Sequence, residues 1–315
     1  MVFNFNYRCI DALSPYCPCY LAETQSCLVC SVLQGKDTCD CNWQGFCVYQ
    51  EYIWNGKKKE NFRKTVEAKI AEKKAFSDNL VVFKVILTLP ALSRDFSQPG
   101  TYVFLKSFDT PPYFEVPICV MDANEDENSL NFAVQIIGPK TKNLVRENKA
   151  FLLRGPYYNG VLGLKHIKGA KNKRCLLIGG GIGQASLVLV AKALVRGKNE
   201  ITALLDAGAI KYNPAEDYLK NLGVEVQYFA KQDLVFGEML LNLIEEKNIE
   251  MIYSGGSDVQ HDFVKSAVIR SGRKIDFAAS NNVQMCCGEG ICGSCVVTLG
   301  SEKIKFCKAQ TEYMI

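Results

Sequence analysis

Four cysteines near the end of the chain are spaced as the ligands of a small iron–sulfur cluster. They lie in and after the segment CCGEGICGSC, in a C-x4-C-x2-C-x11-C pattern, as Cys287, Cys292, Cys295 and Cys307. Plant-type ferredoxins hold a [2Fe–2S] cluster with this spacing, and each iron takes two thiolates. Structural zinc usually joins two C-x2-C pairs, whereas this stretch has one, so the pattern favours a [2Fe–2S] cluster. Cys286 is then an extra thiol.

A second group of cysteines lies at the other end of the chain, where eight of the 15 fall within residues 9–47. Apolar residues there follow neither a helical nor a strand period, so burial alone could not offset the entropy of ordering the segment. Metal–thiolate bonds would supply that free energy. We expect one or two iron–sulfur clusters or a zinc site, with free or disulfide-bonded thiols as the alternative. The candidate ligands are Cys17, Cys19, Cys27, Cys30, Cys39, Cys41 and Cys47, with Cys9 as the eighth thiol.

Composition narrows the class of protein. The chain has 315 residues, of which 48% are hydrophobic and 22% charged, so we expect two or three domains with real cores. The start MVFNFNYRC has no signal-peptide pattern, and the apolar stretch 185–195 is too short to span a bilayer. We therefore expect a cytoplasmic chain with reduced thiols and no membrane insertion. The net charge is +4, and no aromatic residues interleave with the basic ones on a strand, which argues against a nucleic-acid partner.

Periodicity and punctuation divide the chain into five segments. Strand-like runs such as LVVFKVILTL predict an antiparallel β-barrel, and the strand–helix alternation from Arg174 predicts an α/β domain with a parallel sheet. Phe62, Val66 and Ile70 recur every four residues among lysines, which predicts an amphipathic linker helix. The predicted segments are a Cys-rich metal-binding segment (1–56), the linker helix (57–75), the barrel (76–160), the α/β domain (171–277) and a [2Fe–2S] segment (278–315).

The first strand-to-helix turn of the α/β domain is rich in glycine. It reads GGGIGQAS and contains Gly179, Gly180, Gly181 and Gly183. A glycine turn that opens a helix lets backbone N–H groups approach a pyrophosphate. The literal G-x-G-x-x-G spacing is not met, because Ser186 takes the third position, and tight packing is the alternative reading.

With these motifs in place, the chain resembles the ferredoxin–NADP reductase superfamily, and most closely the electron-transfer subunits of NAD-dependent bacterial dihydroorotate dehydrogenases. The likeness covers residues 76–315. It implies an FAD-binding barrel and an NAD-binding domain. The matched positions are Pro117, Ile118, Cys119 and Val120, in place of the Pro-Ile-Ser-Ile motif beside the flavin ring; Gly138, Thr141 and Leu144, in the pyrophosphate-binding segment; and Gly155, in a turn that resembles Gly-Pro-Leu-Gly-Asn-Gly.

Three departures from the family pattern affect the expected cofactor contacts. The arginine that precedes Pro-Ile-Ser-Ile in the family is replaced by the stretch FEV, so the usual charge for the flavin phosphates is missing. Asp206 ends the second strand with no arginine after it, which favours NADH because a carboxylate repels a 2′-phosphate. A late Cys-Gly-Pro motif is replaced by SGGSD. Cys119 fits a buried strand thiol better than a redox group.

The implied chemistry is electron transfer. Nicotinamide gives up two electrons as hydride, a [2Fe–2S] cluster accepts one at a time, and a flavin converts one mode into the other. No nucleophile or acid–base set stands out in the sequence. We expect a flavoprotein/iron–sulfur subunit that passes electrons between NAD(P)H, FAD and the cluster to a catalytic oxidoreductase subunit or an electron-carrier protein. The alternative is a non-enzymatic redox-sensing or regulatory module on the same fold.

Overall fold

The structure, a computed structural model, describes residues 7–41, 45–59, 62–229, 236–299 and 302–313. The helices are α1 Tyr20–Glu23, α2 Val48–Trp54, α3 Pro139–Leu144, α4 Leu164–Gly169, α5 Leu187–Arg196, α6 Glu216–Asn221, α7 Phe236–Glu246 and α8 Asp258–Arg270. The strands are β1 Arg8–Cys9, β2 Thr65–Ser77, β3 Leu80–Leu87, β4 Tyr102–Lys106, β5 Val116–Cys119, β6 Asp122–Asn124, β7 Ser129–Gln135, β8 Ala150–Tyr157, β9 Val161–Leu162, β10 Arg174–Gly180, β11 Glu200–Asp206, β12 Glu225–Tyr228, β13 Met251–Gly255, β14 Asp276–Ser280, β15 Val296–Leu299, β16 Glu302–Lys305 and β17 Ala309–Gln310.

The chain divides into two compact units. The first, which we call the cysteine unit, joins both ends of the chain and consists of Met1–Lys64, Tyr157–Asn159 and Val283–Thr311. The second, the reductase unit, consists of Thr65–Pro156, Gly160–Asn282 and Glu312–Ile315. The predicted segments 1–56 and 278–315 therefore contribute to one unit, although sequence patterns gave no reason to join them.

The reductase unit contains an antiparallel sheet of seven strands in the order β5-β4-β8-β2-β3-β7-β6. Side chains near both edges, Ile118 and Ala123, belong to the same core as Phe83 and Phe132 from its centre, so the sheet is rolled around that core. This confirms the predicted antiparallel sheet. The first half of β2, most of β3 and β5 alternate buried and more exposed positions because successive side chains point to opposite faces, whereas the first four residues of β4 are all buried.

The predicted linker helix over residues 57–75 is wrong, since residues 65–77 form strand β2 between β3 and β8. Val66 and Ala68 point into the core and Ile70 packs against it, whereas the residues between them face outward. A spacing of four residues satisfies a strand period of two as well as a helical period of 3.6. Hydrogen bonding to the neighbouring strands decides the outcome, and it moves the start of the sheet from residue 76 to Thr65.

A second sheet in the reductase unit has the order β12-β11-β10-β13-β14-β9. Five of its strands are parallel, as the strand–helix alternation predicts, and β9 adds an antiparallel edge beside β14. Helices α7 and α8 bury apolar side chains against this sheet. The sheet is therefore mixed, because a two-residue strand too short to give a sequence pattern completes its edge.

The cysteine unit is built on pairing between distant segments. Strand β1 runs antiparallel to β17, with Cys9 opposite Ala309, and β15 and β16 form a hairpin. A small core of Ala22, Cys30, Leu33 and Val48 holds the N-terminal segment together. Across the whole described part of the chain, no helix combines the length and apolar character needed to cross a membrane.

Candidate cofactor sites

The C-terminal cysteine loop turns at three glycines whose backbone is left-handed. Gly288, Gly290 and Gly293 have φ values of 71°, 74° and 80°, which residues with a Cβ adopt rarely. This lets the chain turn so that the Sγ of Cys287 accepts hydrogen bonds from the backbone N–H groups of Glu289 and Cys292 at 3.3 and 3.5 Å. Such N–H···S bonds favour the thiolate that a metal needs.

Two of the other thiols of this loop, Cys292 and Cys295, have a lowered pKa, and the third, Cys307, has a raised one. Cys295 and Cys307 are both buried, and a hydrogen bond between them lowers the pKa of Cys295 to about 6 while it raises that of Cys307. Burial opposes ionisation of Cys292, yet hydrogen bonds that involve Ser294 and Cys287 lower its pKa to about 7. Cys286 is exposed. The donor set fits thiolate ligation of a cluster, as the sequence spacing predicts.

A buried cluster of four charges anchors this loop. Glu289, inside the loop, pairs with Arg63 at 3.2 Å and with Lys308 at 2.9 Å. Asp11 pairs with the same two cations at 2.6 and 2.5 Å. The Asp11 and Lys308 side chains are 1% and 0% exposed, so these charges are shielded from water. Tyr157 donates a further hydrogen bond to Glu289 at 3.0 Å.

Each member of the cluster depends on the others for its charge. Burial raises the pKa of a lone carboxyl group, but Lys308 and Arg63 hold the pKa of both Asp11 and Glu289 below the ordinary values. Burial likewise opposes the charge of Lys308, and Asp11 more than offsets it, so the pKa of Lys308 is raised. The cluster went unnoticed in the sequence because its members are up to 297 positions apart.

Four of the N-terminal cysteines share one small apolar cavity, namely Cys9, Cys17, Cys19 and Cys27. Burial raises the pKa of the Cys9, Cys17 and Cys27 thiols, and raises that of Cys17 to about 12. The structure does not bring the other four to this cavity: Cys30 is buried in the small core, and Cys39, Cys41 and Cys47 lie elsewhere on the segment. Within the described ranges, no three His, Cys, Asp or Glu side chains are grouped to hold a single metal ion.

The glycine turn of the reductase unit lies where three strands end. Register pairs Gly180 with Asp206 and Gly179 with Gly255, so the carboxyl ends of β10, β11 and β13 meet at one edge. A Cβ on Gly183 would lie 2.5 Å from the backbone nitrogen of Gly256, so glycine is required there for close packing. Gly183 therefore serves packing, whereas pyrophosphate binding at this sheet edge stays a prediction.

Asp206 is held in place at that edge. Its Oδ1 accepts a hydrogen bond from the backbone N–H of Gly208 at 2.9 Å, and its backbone oxygen accepts one from Gln184 at 2.9 Å. Gly208 lies next to Gly181, since a Cβ on Gly208 would be 3.7 Å from the Cα of Gly181. The carboxylate therefore lies beside the glycine turn, and its selection of NADH stays a prediction.

A histidine on α8 that sequence reasoning did not assign contacts the end of β13. His261 is fully buried, with Nδ1 at 2.8 Å from Ser254 Oγ and Nε2 at 3.0 Å from Ser280 Oγ. Asn282 is 3.2 Å from the same Nε2 and donates to the Gly256 carbonyl at 2.8 Å. This network stiffens the SGGSD turn, which stands where the family has Cys-Gly-Pro. In the sequence, the polar residues of the SGGSD turn are the one sign that such a hydrogen-bond network could form.

A charge pair lies just before the strand that matches the flavin motif, β5. Arg154, on β8, donates to Glu115 through Nε and Nη2 at 3.2 and 2.6 Å, and it lies over the ring of Phe104. Lys140 donates to the Glu115 carbonyl at 3.2 Å. The stretch FEV lacks the family's arginine, but the fold brings two cations from other elements to the same place. Sequence comparison along β5 alone could not find them.

An apolar groove opens beside these charges, lined by Phe114 and residues 137–141. Ile137 is 76% exposed at its rim, the kind of apolar surface that a bound ring would cover. Thr141 Oγ1 accepts hydrogen bonds from the N–H groups of Ile137 and Gly138 at 2.9 and 3.1 Å, which fixes this turn. Leu144 is buried in the core, where it anchors α3.

The remaining residues of the flavin motif differ in exposure. Ile118 and Val120 are core residues, Pro117 is exposed, and Cys119 is partly buried. Burial raises the pKa of the Cys119 thiol to about 12, so it stays protonated at neutral pH, in keeping with an inert strand thiol. Gly155 serves packing, because a Cβ there would lie 3.0 Å from the Val103 side chain.

Comparison with known proteins gives the class first. The chain has the fold of the ferredoxin–NADP reductases: it superimposes with a TM-score of 0.62 on a chain of an NADH-dependent reduced ferredoxin–NADP oxidoreductase, at 23% identity, covering 76% of this chain and 85% of the other. No protein-family model matches the sequence.

More particularly, the chain is similar in sequence to electron-transfer subunits of dihydroorotate dehydrogenase B (NAD(+)). A homologue of that subunit from Thermotoga maritima is 28% identical over 232 residues, which is 71% of this chain and 78% of the relative. The subunit from Clostridium acetobutylicum is 24% identical over 67% of this chain and 82% of its own length. The resemblance expected from the motifs is confirmed.

Proposed function

We propose that the chain is an NADH-dependent electron-transfer subunit that carries FAD and a C-terminal [2Fe–2S] cluster and delivers electrons to a partner oxidoreductase. The observation that carries the proposal is the C-terminal loop: its four thiols have the ferredoxin spacing in sequence, three of its glycines have a left-handed backbone, and the Cys287 sulfur accepts two N–H···S bonds. The relatives support it, since they are named as electron-transfer subunits. They do not favour the alternative of a non-enzymatic sensor.

Residues of the antiparallel sheet would hold the flavin. The exposed edge of β5 at Pro117 and Cys119 would lie along the ring system, and the groove at Ile137 and Gly138 would take the rest of the molecule. Gly138 leaves room for it, because a Cβ there would find no described atom within 4 Å. When bound, the flavin supplies exchange of two electrons with nicotinamide and of single electrons with an iron–sulfur cluster.

Arg154 and Lys140 would supply the positive charge that the flavin phosphates need. We expect Arg154→Met to weaken FAD binding about tenfold or more, since a charge-assisted contact near a phosphate is lost. Glu115→Gln should leave FAD binding unchanged or tighter, because it removes the carboxylate that competes for Arg154. The FAD affinity of both variants is measured by the fluorescence of FAD released from the protein. Equal affinity in the wild type and Arg154→Met would contradict this role.

Asp206 would accept a hydrogen bond from the ribose 2′-OH of NADH and repel the 2′-phosphate of NADPH. We expect the wild type to prefer NADH by about tenfold or more in kcat/KM, equivalent to about 1.4 kcal/mol. Asp206→Ala should narrow that preference to a few-fold, whereas Asp217→Ala, an exposed carboxylate on α6, should not change it. Equal or better use of NADPH by the wild type would show that the carboxylate does not select the nucleotide.

Two measurements test the function as a whole. The anaerobically purified chain should oxidise NADH with an artificial one-electron acceptor, which a non-enzymatic module would not do. A pull-down under anaerobic conditions should then recover a catalytic oxidoreductase subunit or an electron-carrier protein. A chain that carries FAD but does not oxidise NADH with any acceptor would overturn the proposal in favour of the sensor class.

A further inference from the structure

A buried glutamine to which the proposed function gives no role lies between the ends of β10 and β13. Register pairs these two strands as far as Gly179 and Gly255. Beyond that last pair, the side chain of Gln260 from α8 meets the next residue of each strand end, Gly180 and Gly256. Gln260 is 1% exposed, so its amide is shielded from water and needs partners within the protein.

The glycines at these two positions make room for Gln260. A Cβ on Gly180 would lie 2.0 Å from the Gln260 Oε1, and a Cβ on Gly256 would lie 2.4 Å from the same atom. Gly180 has a φ of −115°, which any residue can adopt, so its backbone does not require glycine. The three atoms nearest to a Cβ on Gly180 all belong to Gln260, which therefore accounts for glycine at this position.

The Gln260 amide faces acceptors from both strands. Its Nε2 lies 3.4 Å from the carbonyl oxygen of Ile178, on β10. On β13 it lies 3.3 Å from both the carbonyl oxygen of Gly255 and the Oγ of Ser254. The glutamine itself is fixed by the start of α8, because its backbone N–H donates to the Oγ of the N-cap Ser257 at 3.4 Å. One buried side chain therefore connects the strand ends from which the glycine turn and the SGGSD turn begin.

The glycine turn has a filled side and an open side. Gly183 packs against the SGGSD turn, since a Cβ on it would lie 2.5 Å from the backbone nitrogen of Gly256. Gly181 has a φ of 52°, and a Cβ on it would meet no described atom within 4 Å apart from its chain neighbours. An anion held by backbone N–H groups needs this combination of a fixed turn and free space beside it.

We propose that Gln260 is a positioning residue for the nicotinamide nucleotide, because it holds the glycine turn and the SGGSD turn in one fixed arrangement. The inference rests on the proposed function, to which it adds a residue that acts through these two turns. A turn that is already ordered lowers the free-energy cost of binding. The nucleotide contacts of the turn are the same in the bound substrate and in the transition state, so loss of Gln260 should raise KM and leave kcat unchanged.

The first test replaces Gln260 by methionine, which keeps the length of the side chain and removes the amide. In FAD-loaded protein, we expect Gln260→Met to raise KM for NADH about tenfold and to change kcat less than about twofold. The matched control is Gln227→Met, which alters a glutamine on edge strand β12 whose side chain donates to Glu225 at 2.7 Å. It should change neither constant. An unchanged KM in Gln260→Met, or an equal rise in Gln227→Met, would overturn the inference.

Hydrogen–deuterium exchange of the NADH-free chain gives a readout that does not depend on activity. In Gln260→Met, amides of residues 178–186 and of residues 254–258 should both exchange about tenfold faster, because the contact that connects the two turns is lost. Gln227→Met should leave both segments as in the wild type. Faster exchange in one of the two turns alone would show that Gln260 does not hold them together.

Gly180→Ala displaces the Gln260 amide without changing that residue, and it decides the question if Gln260→Met fails to fold. We expect it to raise KM for NADH. In a Gln260→Ala background the same substitution should add little, because the side chain that the new Cβ would meet is gone. An unchanged KM in Gly180→Ala, or an equal added cost in both backgrounds, would overturn the inference alone. A wild-type chain that binds no NADH would overturn the proposed function and this inference together.

Discussion

Cys292→Ser is expected to abolish the [2Fe–2S] absorbance and EPR signals of the C-terminal loop. Cys292 is exposed, and hydrogen bonds lower its pKa to about 7, so it is the most accessible of the four thiolates. Serine cannot replace a thiolate toward iron without a large loss of affinity. We expect a loss of about two irons per chain from this site, and at least a hundredfold slower NADH-dependent reduction of cytochrome c. NADH oxidation with a two-electron acceptor should persist.

The matched control for this variant is Cys286→Ser. Cys286 is adjacent to the first ligand and exposed, but the C-x4-C-x2-C-x11-C spacing leaves it out. Its substitution should preserve the cluster signals and both activities. Full [2Fe–2S] signals in Cys292→Ser, or their loss in Cys286→Ser alone, would show that the ligand set is different.

Lys308→Met is expected to destabilise the cysteine unit by about 3–5 kcal/mol. Lys308 is fully buried between Asp11 and Glu289, and its removal leaves the buried Asp11 and the partly buried Glu289 to share Arg63. Hydrogen–deuterium exchange of peptides from residues 7–30 and 302–311 would report this loss locally. Amides that exchange only when the unit opens should exchange about a hundredfold faster or more, since each 1.4 kcal/mol of lost stability is about a factor of ten in the opening equilibrium.

Two comparisons separate the buried charge from lysine replacement in general. Lys36→Met removes a partner from an exposed pair with Asp40 in the same unit, and exposed pairs contribute little, so we expect no measurable change. Asp11→Asn combined with Lys308→Met should cost less than the sum of the single variants, because both break the same pair. Equal exchange in Lys308→Met and Lys36→Met would refute the role of the charge cluster.

Much of the reductase unit could be predicted from local sequence patterns. The strand–helix alternation from Arg174 onward gave every parallel strand and covering helix, because each element carries its own apolar period. Among the longer elements, β2 was predicted wrongly as a helix, because Val66 and Ile70 fit the helical and the strand period equally well. Hydrogen bonding to β3 and β8 makes it a strand. Short strands such as β9 form because they hydrogen-bond to a neighbouring strand, here β14, and they are too short to show a sequence pattern.

The sites were predictable where ligands are close in sequence and unpredictable where the fold assembles them. The C-terminal cysteines and the glycine turn can be recognised as candidate sites from their spacing in the sequence alone. Arg154 stands on a different strand from the motif it complements, and the cluster around Lys308 joins both ends of the chain. The subset of N-terminal thiols that share a cavity depends on β1 pairing with β17, which no local pattern encodes.

Anaerobic titration of the purified chain with NADH, followed by absorbance and EPR, tests the central claim most directly. If the chain is an electron-transfer subunit with FAD and a C-terminal cluster, NADH should bleach the flavin absorbance and produce the EPR signal of a reduced [2Fe–2S] cluster. The same titration of Cys292→Ser should bleach the flavin without that signal. A wild-type chain that binds FAD yet shows no cluster signal with either NADH or dithionite would contradict the account.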